Sequence, residues 1–109
     1  MTDKIFYMIW EDAISNSDCD AFVSDWTLSS IWEDPDDADI PQDRIDQLQQ
    51  IWTAAHMSFA DIVRFTGLKQ TQFATRYCIP YRTVQNWFAG VSNCPDYMRL
   101  LLLRDLHVL

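Results

Sequence analysis

The tightest constraint on this chain lies in residues 70–89, where Phe73, Tyr77, Ile79, Val84 and Trp87 are large and apolar and Ala74 is small. Apolar residues three and four apart indicate helix, and the pattern breaks once, around residues 78–80. Two short helices crossing steeply over a tight turn need this arrangement, with bulk toward the ends and a small residue where the backbones approach. Phe73, Ala74, Tyr77, Ile79, Val84 and Trp87 are therefore the expected core of the unit. Cys78 falls in the turn, and Pro80, with its preset φ, opens the second helix.

The rest of the chain also reads as all-α. Its only glycines are Gly67 and Gly90, too few for the turns of a β-rich fold. Thr2 or Asp3 caps a first helix with Phe6, Ile9, Trp10 and Ile14 on its apolar face. Ser17 or Asp18 caps a second, carrying Phe22, Val23 and Trp26 toward Trp32. Residues 33–39 hold a proline and five acids and read as a solvated loop, without the glycine and distal Glu of an EF-hand. Pro41 suits the first turn of a third helix, with Asp39 as its cap and Ile45, Leu48, Ile51 or Trp52, and Ala55 at helical spacing. Ser58 with Asp61 forms a capping box for a helix through Phe59, Ile62 and Val63 that stops at Gly67. A last helix runs from Asp96 to about Leu106.

Charge divides the chain. The net charge is −8. Residues 1–57 set thirteen acids against Lys4 and Arg44, a net of −11, while residues 58–109 set six cations against three acids, a net of +3. The expected organisation is an acidic helical segment, 1–57, followed by a mildly basic domain, 58–109.

Several chemistries lack their residues. The two histidines, His56 and His107, are isolated, and no CxxC or HxxxH spacing is present, so neither a metal site nor a cofactor is expected. There is no Gly-rich phosphate loop and no nucleophile elbow, so no catalytic residue is assigned. Three cysteines without a framework predict reduced thiols and a cytoplasmic chain. No apolar run is long enough for a membrane span.

Residues 68–90, together with Gly67-Leu68 before the motif and Gly90 after it, resemble the helix-turn-helix of Cro and phage repressors, the xenobiotic-response-element family. The resemblance extends from Ser58 to about Leu106. It implies a five-helix repressor-like domain whose third helix, about 80–89, enters the major groove of double-stranded DNA. By position it assigns base contacts to Tyr81, Arg82, Thr83 and Asn86, with Gln85 on the neighbouring face. Gln70, Lys69, Ser92 and Asn93 are then phosphate contacts. Arg82 suits guanine and Asn86 suits adenine.

The chain departs from the family pattern in three places. Lys69 replaces the usual Ser or Thr cap, Cys78 replaces a usual Gly, and Ala89-Gly90-Val91 lacks the usual polar and basic groups. The resemblance implies a transcriptional regulator, or an antitoxin whose acidic segment binds a toxin, with homodimerisation adding contacts. The acidic segment is also expected to lower non-specific DNA affinity or to present a partner-binding face. The alternative reading makes Arg82 and Asn86 part of a solvated helix face. The chain then reads as a protein-interaction or DNA-mimicking module that keeps the motif as a scaffold.

Overall fold

A computed structural model describes residues 2–29 and 42–109. Among these residues there are seven helices and no strands. The chain divides into two compact units, Met1–His56 and Met57–Leu109. The expected loop over 33–39, the reach of the second helix toward Trp32 and the roles of Asp39 and Pro41 lie outside the described residues.

The first unit contains α1 (Asp3–Ser15), α2 (Cys19–Thr27) and α3 (Gln42–Ala55), each packed on the other two. Thr2 Oγ1 caps α1 by accepting from Ile5 N, and Asp18 caps α2 by accepting from Asp20 N and Ala21 N. Ile9, Trp10, Phe22 and Leu48 are fully buried, with Ala13, Ile51 and Ala54 beside them. Trp52 of α3 and His56, just beyond it, reach the carbonyls at the end of α1. Trp52 Nε1 donates to Asn16 O at 2.8 Å, and His56 Nε2 lies 2.8 Å from Ala13 O. The Trp52 and His56 rings stack with centroids 4.2 Å apart.

The second unit contains α4 (Phe59–Thr66), α5 (Gln70–Tyr77), α6 (Tyr81–Ala89) and α7 (Asp96–Asp105). That is four helices rather than the expected five. The 53 residues left after His56 are consumed by these helices and three connections. α6 packs on α4 and α5, and α7 packs on α4. Phe59 meets the rings of both Phe73 and Trp87 edge-on, at 5.5 and 5.3 Å between centroids. A stack of rings thus ties α4, α5 and α6 together.

The Ser58–Asp61 box is formed. Asp61 N donates to Ser58 Oγ at 3.1 Å, and Ser58 N donates to Asp61 Oδ2 at 3.1 Å. The Ser58 backbone N–H, and then its side chain, hold the Asp61 carboxyl below its ordinary range. A depressed carboxyl stabilises the fold above the unfolded pKa, and the gain is lost as pH falls through the folded value. Asp61→Asn should therefore lower the urea midpoint at neutral pH by the equivalent of about 0.5 kcal/mol. The gap to wild type should close below about pH 4. A gap that persists unchanged at pH 3 would mean that the charge contributes nothing.

Candidate nucleic-acid interface

The α5–α6 connection is set by one residue in an unusual conformation. Cys78 has φ 54° and ψ 37°, the left-handed region. Its position lets Ile79 N donate back to Ala74 O at 3.0 Å, which closes the end of α5. Pro80 then stands just ahead of α6 as its cap, at φ −53° and ψ 133°, so the helix begins at Tyr81 rather than at the proline. The far end repeats the device. Gly90 takes φ 77°, and Val91 N donates to Asn86 O at 2.9 Å.

A β-carbon in the left-handed region is strained, and glycine relieves that strain. Cys78→Gly should thus raise stability by about 0.5–1 kcal/mol, net of the extra freedom glycine gives the unfolded chain. A lower urea midpoint for the variant would show that the exposed thiol makes packing contacts worth more than the strain.

The residues expected to form the motif's core are buried to different degrees. Phe73, Ala74 and Val84 are buried, while Tyr77, Ile79 and Trp87 are half-buried. Tyr77 reaches the last helix, where its hydroxyl donates to Asp105 Oδ2 at 2.7 Å. Burial, and then this bond to Asp105, raises the Tyr77 pKa and keeps the phenol neutral.

The residues expected to read bases lie along α6. Tyr81, Arg82 and Gln85 are exposed, and Thr83 and Asn86 are half-buried. The expected phosphate contacts separate. Lys69 and Gln70, at the start of α5, line a shallow hollow with Arg64, Thr71, Tyr81 and Phe88. Ser92 and Asn93 are exposed in the loop after α6 and do not line that hollow.

The missing cap at Lys69 is half replaced, because Gln72 Oε1 accepts from Lys69 N at 3.0 Å. A lysine side chain has no acceptor and cannot return the bond.

Electrostatics sets these two helices apart from the other five. α1, α2, α3, α4 and α7 each carry an acid in the first turn, namely Asp3, Asp20, Asp43, Asp61 and Asp96. α5 and α6 carry none. The positive ends of their dipoles are left without an internal counter-charge, and Lys69 and Arg82 add to them. Tyr81 borders both the hollow at the start of α5 and a second one with Thr71, Ala74, Thr75 and Ile79, so the two helix starts are neighbours. Such a surface attracts an anion that spans both starts.

Two arginines behave differently from what their place in the sequence suggests. Arg64 is exposed, pairs with Asp61 at 3.6 Å and lies over the Phe88 ring at 5.2 Å. It joins the hollow, although its spacing from Asp61 reads only as a helix pair. Arg99 turns inward. Its Nη1 donates to Met57 O at 2.8 Å and its Nη2 to Asp96 at 2.9 Å, with the side chain 11% exposed. One of the six cations behind the +3 balance is thus spent on structure. Cys94 is buried too, and desolvation pushes its thiol up to about 11, so it stays protonated.

No protein-family model, no curated protein and no solved structure matched this chain. Among the described residues, no helix is long and apolar enough to cross a membrane.

Proposed function

We propose that the second unit is a sequence-specific DNA-binding module of the Cro and phage-repressor kind, and that the chain is a transcriptional regulator. It acts by occupying an operator, without chemistry or cofactor. α6 is the recognition helix. At nine residues, or roughly 13 Å, it is short enough to lie across the major groove.

One observation carries the reading: the start of α5 and the start of α6 adjoin, hold no acid, and present Lys69 and Arg82. In a chain of net charge −8, a local positive surface is the natural place for phosphates. Arg82, Gln85 and Asn86 supply the fork and amide groups that distinguish guanine and adenine. Residues 89–91 bring no cation, so one protomer makes few phosphate contacts. A homodimer on two half-sites multiplies them.

The test is selection of the full chain on random double-stranded DNA at low salt, followed by gel shift on the enriched sequence. A recurring motif that outcompetes bulk DNA is expected. The absence of both enrichment and shift would remove the reading. The rival reading, a protein-interaction or DNA-mimicking module, draws on the net −11 of residues 1–57 and predicts that negative result.

A further inference from the structure

The acids of the first unit are not among the residues proposed to contact DNA. Among its described residues there are eight, and all are exposed. Of its two cations, Arg44 is half-buried and donates to Thr27 O at 3.3 Å, while Lys4 is exposed. The surface of this unit therefore carries many more acids than cations.

At one place this charge surrounds an apolar floor. α1 and α2 pack together, and the hollow between them is lined by Met8, Asp12, Asp25, Trp26 and Ser29. Met8 is 50% exposed, a large apolar side chain open to solvent. The Trp26 indole is half-buried and donates from Nε1 to Asp12 Oδ2 at 2.8 Å, which holds ring and carboxylate in a fixed relation. Met8 and Asp12 are one turn apart on α1, and Asp25 adjoins Trp26 on α2.

A long side chain ending in a cation suits this hollow. Its stem gains contact with the thioether and the indole, and its head meets two carboxylates. A guanidinium suits it better than an ammonium. It is planar and more weakly hydrated, it stacks on aromatic faces, and it meets a carboxylate with two donors at once. Anionic ligands are repelled by the unit's net −11, and a neutral one leaves the carboxylates unused. We propose that the α1–α2 hollow is a docking point for an arginine presented by a basic segment of a partner protein. The inference is independent of how the second unit engages DNA.

The probe is an end-blocked peptide of alternating alanine and arginine, with its lysine counterpart, titrated into the full-length ¹⁵N-labelled chain at about 0.15 M salt. The Trp26 indole N–H resonance should move saturably and further than those of Trp10 and Trp52. The arginine peptide should bind more tightly than the lysine one. Asp12→Asn/Asp25→Asn should weaken binding about fivefold or more. The control Asp43→Asn/Asp46→Asn removes the same charge from α3 and should cost less than about twofold.

Asp25→Asn alone leaves the Trp26–Asp12 bond intact and should still weaken binding, which keeps the test valid if the double variant disturbs the fold. Equal weakening by both double variants, or equal movement of every indole, would reduce the effect to diffuse charge attraction and overturn the proposal. So would a Trp26 resonance that moves with protein concentration alone, since a second copy would then occupy the hollow.

Discussion

Phe73→Ala should cost the second unit about 3–5 kcal/mol, the largest effect expected of any single change considered for this protein. Phe73 has no exposed surface. Its ring meets Phe59 edge-on at 5.5 Å and Tyr77 at 4.7 Å, and Phe59 in turn meets Trp87. Truncation removes the middle of this stack and leaves a cavity bounded by α4, α5 and α6, whose rigid rings cannot collapse to fill it. A unit of about fifty residues has roughly 3–8 kcal/mol of total stability at the usual margin per residue. The variant should therefore be largely unfolded in this unit at 25 °C. Trp87 is the sole tryptophan of the second unit, so its indole N–H resonance should collapse toward the random-coil position. Phe73→Leu keeps most of the volume and should lose much less. If Phe73→Ala costs under 1 kcal/mol, the rings are not the centre of the core.

The parts of this fold that were legible in sequence are those with local causes. Ser58 and Asp61 announce a helix start because each satisfies the other's backbone N–H, with no help from distant residues. Gly67 is legible for a similarly local reason, and the starts of α1 and α2 were legible to within one residue, as Thr2 or Asp3 and Ser17 or Asp18. That Cys78 lies in the turn followed from its position between two helical patterns, but its left-handed φ was pointed to only by the resemblance, which has Gly there, and the residue type argues against it. What stayed hidden depends on contacts between elements. Nothing about Arg99 in sequence shows that it turns in to the Met57 carbonyl. Arg64 reads as an ordinary helix pair with Asp61 until α6 brings Phe88 beneath it. The reach of Trp52 and His56 to the end of α1 spans about forty residues of sequence and leaves no periodic signal. Ala13 and Ala54 are buried where larger neighbours drew the apolar pattern toward themselves. The expected fifth helix came from the resemblance alone and had no residues of its own behind it.

On the proposed reading, Arg82→Ala should weaken binding to the selected operator by about 1–3 kcal/mol, roughly five- to 150-fold, and relax preference at a single base pair. Arg82 is exposed in the first turn of α6, where no acid offers it a partner on its own helix start. Its fork can meet the two acceptors of guanine together, which a lysine cannot reproduce, so Arg82→Lys should recover only part of the loss. The salt dependence separates this role from a phosphate contact. A base-reading arginine leaves the slope of log K against log salt nearly unchanged when removed, whereas a phosphate contact lowers it by about one unit. Lys69→Ala is the matching control: it should weaken binding almost equally on selected and random DNA and reduce the slope. A stability check belongs beside both variants, since Arg82 and Lys69 are exposed and neither change should move the urea midpoint by more than about 0.5 kcal/mol. Equal loss on every sequence would move Arg82 to the backbone contacts. Unchanged binding by Arg82→Ala would take α6 out of the groove, because the exposed side of that helix offers no other cation to hold it there.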